Sequence, residues 1–424
     1  MRLYADRALL SDGVCDAVCV EVGDDGIIRD VRRDAARGDG VRVRGTLVQG
    51  MPNVHSHVFQ RAIAARTQRV ETGENSFWSW RTAMYRVARD IEPDELERLA
   101  EQTFKEMLAG GYTSVAEFHY LHAAPDGTAY ANPAELSDRV IAAAQRAGIT
   151  MTLLPVLYLH SDFGGAPLLA EQRRFSLGLD GYLELWRQLY REYAGVPRVR
   201  IGFAPHSLRA VTGEELRYAL DAVRSLDATA PVHIHIAEQV REVEACRAVL
   251  KTTPVRALSE AVGIDERWCL VHATHADASE LDLIAEAGAV VGLCPTTEAD
   301  LGDGMFPASA FAARGGRFAI GSDSNVRIDA AEELRLLEYT QRLALQRRNV
   351  MTVDGIASVG EALYRSALAG GAQALGQDGG SIAPGARAAL AVLDDAGPEA
   401  FDEYVFSGRA RSHFVHHERI RGDV

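Results

Sequence analysis

The chain has 424 residues, 47% of them hydrophobic, and a formal net charge of −14 at pH 7. This length supports one large domain with a deep core and a smaller one beside it, and the acidic balance argues against nucleic acid as a partner while leaving room for a small anion in a locally basic pocket. No stretch reaches the roughly 18 apolar residues of a membrane span, and the N-terminus MRLYADRALLSDG has no long apolar segment, so the sequence reads as soluble and cytoplasmic, with no membrane partner.

Residues 1–48 read as short strands, LYADRALL and then VCDAVCVEVGDDGIIRDV with a turn at Gly23–Gly26. They suggest the N-terminal part of a small β domain. From about residue 46 apolar runs alternate with amphipathic helices. In order these are TLVQGMPNVHSH, a helix from Pro93, TSVAEFHYL, a helix from Pro133, ITMTLLPVLYLH, a helix near 180–191, and VRIGFAPH. A helix from Gly213 follows, then PVHIHIAE, a helix near 239–250, CLVHATH, a helix near 277–287, AVVGLCPT, a long loop, and RFAIGSDS. Asn132 before Pro133, and Thr212 with Glu215, are helix-start signals. Gly110–Gly111, Gly148 and Gly288 stand where helices should stop. Near-continuous apolar strands imply cover on both faces. Eight such βα units over 49–378 fit a (β/α)8 TIM barrel better than a doubly wound sheet, because no glycine-rich phosphate turn follows a strand. Helices continue from about 330 to 375. The tail, GGSIAPGARAALAVLD and then FDEYVFSG, reads as strands that rejoin the N-terminal ones, so 379–424 completes a small β-sandwich domain. The five cysteines, Cys15, Cys19, Cys246, Cys269 and Cys294, form no CxxC pair, which indicates neither a disulfide framework nor a thiolate zinc site.

Polar residues at the C-terminal ends of barrel strands carry the chemistry of such folds. In MPNVHSHVFQRA, His55 and His57 stand two apart on a strand and so face one point. His233, His235 and Glu238 end strand 5, His272 and His275 strand 6, and Asp323 strand 8. Three histidines and one aspartate with room for water describe an open, catalytic metal site, and nitrogen and oxygen donors of this kind suit Zn2+ or Fe2+.

HSH on strand 1, HxxE on strand 5, VHATH on strand 6 and GSDS on strand 8 resemble the amidohydrolase superfamily of metal-dependent hydrolases, and the likeness spans nearly the whole chain. The tail departs from that pattern at Ala389, where the family usually carries an acidic residue. Two-metal members bridge their ions with a modified lysine on strand 4, but the only lysines here, Lys105 and Lys251, fall on helices. The resemblance therefore implies one divalent metal ion, zinc by preference and iron as the alternative. MPNVHSHVFQRA, SFWSWR, AEFHYLH, APHSLRAV, HIHIAEQ and CPTTEADLGDGMFP further resemble the branch that deaminates N-formimidoyl-L-glutamate in histidine degradation. That likeness implies His55, His57, His235 and Asp323 as metal ligands. The HxxE register selects His235 over His233. It implies Asp323, Glu238 and His272 as the catalytic groups, with Glu238 handing a proton to the imino nitrogen and His272 steadying the tetrahedral oxygen.

A substrate with two carboxylates needs fixed cations, and arginine pairs with them bidentately. Arg81 in FWSWR and Arg209 in PHSLR are the choices, by motif and by rim position. Gln60, Tyr120 and His206 match the family's substrate contacts, Phe77, Trp78 and Trp80 are candidates for a pocket wall, and Arg327 is a weaker anion candidate. The resemblance also implies a homodimer. Three alternatives stand beside this reading. One is another one-metal deaminase, acting on guanine, an adenosine-type nucleoside or a triazine; one is a non-catalytic relative; one is a one-step hydrolase releasing formamide.

Overall fold

The computed structural model describes residues 1–68, 77–377, 380–395 and 397–415. His416 and His417, given no role above, lie outside the described residues. The strands, numbered along the chain, are β1 Arg2–Leu10, β2 Gly13–Val22, β3 Ile28–Arg32, β4 Val41–Gln49, β5 Met51–Ser56, β6 Tyr112–His119, β7 Thr150–Leu157, β8 Val199–Ile201, β9 Ala204–Pro205, β10 Val232–Ile236, β11 Trp268–His272, β12 Val290–Leu293, β13 Arg317–Ile320, β14 Leu390–Leu393 and β15 Ser412–Phe414.

The stretch TLVQGMPNVHSH is two strands. β4 belongs to the terminal sheet, and β5 opens the parallel one, with Gly50 between them. β5, β6, β7 and β8 pair in parallel, with β9 also on β7, and β10 to β13 form a second parallel run. Backbone bonds cross both seams. Phe203 N donates to Pro231 O at 2.9 Å and His233 N to Phe203 O at 3.0 Å, while Asp323 N donates to His55 O and His57 N to Asp323 O, both at 2.9 Å. β5, β6, β10, β11 and β12 are buried along their whole length, as strands covered on both faces must be.

Helices between the strands supply that cover. The helix Gly213–Arg224 starts at a capping box in which Glu215 N donates to Thr212 Oγ1 and Thr212 N to Glu215 Oε2. The helix Glu135–Ala147 ends on Gly148 in the left-handed conformation, φ 84°. The helix Val359–Ala374 lies against β5 and β13 at close range. A Cβ on Gly370 would stand 2.1 Å from Phe318 O, and one on Gly371 2.8 Å from the Pro52 side chain. Only glycine allows that approach.

Both chain ends meet in one six-stranded sheet ordered β15-β14-β4-β1-β2-β3. It has a core of its own around Leu3, Val18, Val20, Leu47 and Leu390. The chain termini meet among the described residues in this one hydrogen-bonded sheet, whose β3 end also bonds to the segment leading into β14, Ile28 N donating to Ala386 O and Gly385 N to Ile28 O. Two expectations change. FDEYVFSG is helical, with Ala400–Asp402 and Glu403–Ser407 forming consecutive turns, because Phe401, Tyr404 and Val405 bury on a helical period. The expected long loop before β13 contains the short helices Pro295–Leu301 and Ala308–Ala312, the first opened by Pro295.

Candidate metal centre

β5 carries His55, His57 follows directly after its end in extended backbone, β10 brings His235, and the turn after β13 brings Asp323. Donor atoms of these four buried residues all lie within 4.8 Å of one another. His55 Nε2 is 3.1 Å from His57 Nε2 and 3.0 Å from His235 Nε2, and the last two are 3.3 Å apart. Asp323 Oδ1 stands 3.4 Å from His55 Nε2 and 3.3 Å from His57 Nε2.

The hydrogen-bond partners of the far ring nitrogens decide what this cluster can hold. His57 Nδ1 donates to Phe118 O at 2.9 Å, and His235 Nδ1 to His206 O at 3.0 Å. Each ring therefore carries its lone pair on Nε2 when neutral. Burial and the neighbouring imidazoles hold His55 and His235 well below the usual histidine range, and burial lowers His57 although Asp323 opposes it, so all three stay neutral. The lone pairs of His57 and His235 converge beside His55 Nε2, whose Nδ1 is buried without a partner, and a cation among the three rings would relieve their repulsion. The donor set, including the carbonyls that fix the rings, fits a divalent ion.

His233, on the same face of β10, takes another role. Its Nε2 donates to Ala374 O at 2.7 Å, which makes it a buried structural histidine, as the HxxE register implies. Lys105 pairs with Glu101 at the surface and Lys251 caps a helix, so neither approaches the centre.

Beside the four donors, His272 Nε2 lies 3.7 Å from Asp323 Oδ2 and 3.8 Å from Glu238 Oε1, buried and without a hydrogen-bond partner. Burial works against its charge, but Glu238, Glu298 and Asp323 outweigh that and hold it up at about 10. Burial raises the Glu238 carboxyl, and Asp323 and Glu242 add to it. The backbone here is unusual for side-chain-bearing residues, with φ 68° at His272, 48° at Ala273 and 44° at Asp323. Strained positions of this kind cluster at functional sites.

A pocket opens from this centre, lined by His57, His235, Asp323 and Glu238 together with Gln60, Arg81, Tyr120, His206 and Arg209. The structure thus brings the expected substrate contacts to one place. Arg209 Nη2 is 4.0 Å from Glu238 Oε2, while its Nε is buried without a partner. Arg81 stacks on Trp78 at 4.4 Å. Gln60 Nε2 donates to the Tyr120 hydroxyl at 2.9 Å, and Gln60 Oε1 is buried without a partner. Phe77 and Trp80 line the wall. Arg327 is exposed beside Asp329 and takes no part.

Sequence reasoning passed over several residues. Tyr85, Tyr158, Phe175 and Leu301 also line the pocket. Glu298 accepts from His272 Nδ1 at 3.1 Å and from Cys294 N at 2.8 Å. Glu298 sits in CPTTEADLGDGMFP and Tyr158 at the end of the third parallel strand, so rim position was the available signal for both. Because Glu298 Oε1 is already engaged twice, the grouping of His272, Cys294 and Glu298 orients an imidazole rather than offering a second open cation site.

Residues 46–417 match the amidohydrolase family. The formimidoylglutamate deiminase of Pseudomonas aeruginosa is 50% identical over 398 residues, covering 93% of this chain and 86% of that one. A crystal structure of an amidohydrolase from Brucella melitensis superposes with a TM-score of 0.91 at 43% identity, covering 97% of this chain and 92% of that one. An adenosine deaminase from Xanthomonas campestris with bound zinc superposes with a TM-score of 0.78 at 22% identity, covering 96% of this chain and 88% of that one, a likeness of fold.

Proposed function

The chain belongs to the amidohydrolase family, and from that premise we propose that it hydrolyses N-formimidoyl-L-glutamate to N-formyl-L-glutamate and ammonia, a step of histidine degradation. Half-identity to the Pseudomonas aeruginosa deiminase over 93% of the chain supports the substrate. The observation that carries it is the buried, unpartnered Nε of Arg209 in the same pocket as Arg81, beside the four-donor centre. A dianionic amino-acid derivative satisfies these cations, whereas a purine or triazine does not.

His55, His57, His235 and Asp323 would hold one divalent ion, zinc before iron. When bound, that ion supplies a nucleophile from water near neutral pH. Arg81 and Arg209 hold the two carboxylates, and Gln60, Tyr120 and His206 orient the formimidoyl group, with Gln60 Oε1 free to accept its N–H. The water oxygen adds to the formimidoyl carbon. Its two protons pass by way of Asp323 and Glu238 to the imino nitrogen, the C–N bond breaks, and ammonia leaves as the formyl C=O forms. His272, between Glu238 and Asp323, steadies the developing oxygen charge.

The hydrogen bonds across both sheet seams support a closed (β/α)8 barrel over 49–378, with a small β domain drawn from 1–48 and 379–424. We read the assembly as a cytoplasmic homodimer without nucleic-acid or membrane partners; among the described residues no helix is long and apolar enough to cross a membrane. The test is ammonia release from N-formimidoyl-L-glutamate, guanine, adenosine and a triazine, before and after chelation, with the product weighed by mass spectrometry. Metal-dependent ammonia from the first substrate alone, with N-formyl-L-glutamate, is expected. Glutamate with formamide, or turnover of guanine instead, refutes the reading.

A further inference from the structure

In the pocket that opens from the four-donor centre, the wall carries two phenols from distant parts of the chain. Tyr85 lies on the helix Phe77–Asp90 and Tyr158 follows β7, and both are buried. One side chain joins them. The amide nitrogen of Gln172 donates to Tyr85 Oη at 3.0 Å and to Tyr158 Oη at 2.9 Å. Gln172 is fully buried, and its own oxygen accepts from Leu169 N at 2.9 Å, so its amide orientation is set. The turn that carries it is fixed in turn by Arg174, which donates to Ala88 O, Ala123 O and Ile91 O at 2.6, 2.9 and 2.8 Å.

A phenol oxygen that accepts from an amide N–H keeps its own O–H to give away. Because both Gln172 N–H bonds are spent on the two tyrosines, at least one O–H remains for a ligand even when the two phenols bond each other. Burial holds the Tyr158 phenol well above its usual range, so it stays a donor at any physiological pH. The arginines are close at hand, with Arg81 Cζ 5.6 Å from the Tyr85 ring centroid and Arg209 in the same lining.

Ring contacts place this group along the pocket. His206 is 4.9 Å from the candidate ligand His235, and Tyr158 is 4.7 Å from His206. Tyr158 therefore sits two ring contacts from the centre, with Tyr85 tied to it through Gln172, where the remote end of a bound molecule lies rather than its reacting carbon. We propose that Tyr85 and Tyr158, aimed by Gln172, form with Arg81 the seat of one of the two substrate carboxylates, leaving Arg209 for the other. They are specificity-determining residues, and Gln172 is a positioning residue. This rests on the proposed acidic substrate and adds the groups that recognise its far end.

Tyr85→Phe and Tyr158→Phe keep the rings and remove only the hydroxyls. Each is expected to raise KM for N-formimidoyl-L-glutamate about tenfold or more, the effect of losing a hydrogen bond to a charged group, with kcat within about threefold and metal content unchanged. Two analogues, N-formimidoyl-4-aminobutyrate and N-formimidoyl-L-2-aminobutyrate, each lack one carboxylate. The analogue missing the group seated here should show the same KM in wild type and variants. Gln172→Leu should mimic the double phenylalanine variant where it folds; the single tyrosine variants decide the matter where it does not. Unchanged KM in both tyrosine variants, or an equal rise for both analogues, overturns the inference alone. A wild type that makes no ammonia from the acidic substrate overturns the functional reading and this inference with it.

Discussion

The Nδ1 atoms of His57 and His235 are tied to backbone carbonyls that no substitution removes, so the adjustable support of the centre lies behind β5. Asn325 Nδ2 donates to Ser56 Oγ and to His57 O, both at 3.1 Å, and Asn325 Oδ1 accepts from Ser322 Oγ at 2.7 Å. Asn53 Nδ2 reaches the same Ser322 Oγ at 2.6 Å. This chain of bonds locks His55 and His57 to the turn carrying Asp323. Asn325→Ala is expected to weaken metal affinity about tenfold to hundredfold, the cost typical of such outer partners, read by competition with a chromophoric chelator. Glu298 plays the matching part for His272. Glu298→Ala should lower kcat at least about tenfold with metal content intact. It should add nothing to His272→Asn in a double-mutant cycle, whereas additive losses would make Glu298 a mere packing residue. The histidines and Asp323 were legible in the sequence because strand-end position and two-residue spacing are local. Tyr85, Tyr158 and Gln172 were not, because what makes them a unit is a contact between segments 14 and 87 residues apart, and no local pattern encodes that.

Elements obey their caps and glycines in the same testable way. At the start of the helix Gly213–Arg224, burial tends to raise the Glu215 carboxyl, but Thr212 and His160 bind it as the anion and bring it below its ordinary 4.5. A depressed carboxylate stabilises the fold above its unfolded pKa, and that contribution is lost as pH falls through the folded value. The melting-temperature gap between wild type and Glu215→Gln should thus be full at pH 7 and close as pH drops below about 4.5; a gap independent of pH would assign Glu215 no charge-based role. His122 shows the same sign of dependence in a higher pH window. Burial lowers it to about 4 while Val156 O accepts from its Nε2 at 2.9 Å, so stability should erode as pH falls from about 6.5 toward that value. Gly370→Ala would drive a methyl into Phe318 O and is expected to cost more than about 2 kcal/mol by denaturant melts. Caps, helix periods and apolar strand runs were readable because each is written within a few residues. The turn at Phe401–Val405 was misread because a short apolar run suits either period, and its burial was settled by distant neighbours such as Tyr364, whose ring lies 5.3 Å from Phe401. The helix Pro295–Leu301 was missed because it is too brief to show a period between its proline and Gly302.

At the scale of the molecule, the four candidate ligands come from both parallel sheets. His55 sits on the first strand of one with His57 just past its end, His235 on the first strand of the other, and Asp323 just beyond the latter's last strand. An ion held by all four would staple the two sheets together, so its removal should be felt as global stability and not only as lost turnover. Ligand linkage sets the size. Free metal at about a thousandfold over Kd adds about 4 kcal/mol. For 424 residues, at about 2.1 cal/mol/K of unfolding entropy per residue, that corresponds to a shift of about 5 °C. Calorimetry of the isolated protein with and without a chelator, at equal pH and salt, should show that drop, and stoichiometric zinc should reverse it. Asp323→Asn separates stapling from a chelator's general effects. It keeps the volume and much of the hydrogen bonding, but offers a neutral donor in place of the anion. The variant should melt where the chelated wild type melts and respond little to further chelation. A variant whose melting temperature still falls by the full amount would mean that the ion stabilises the fold elsewhere, and the four-residue centre would lose its standing as the place where the two sheets are joined.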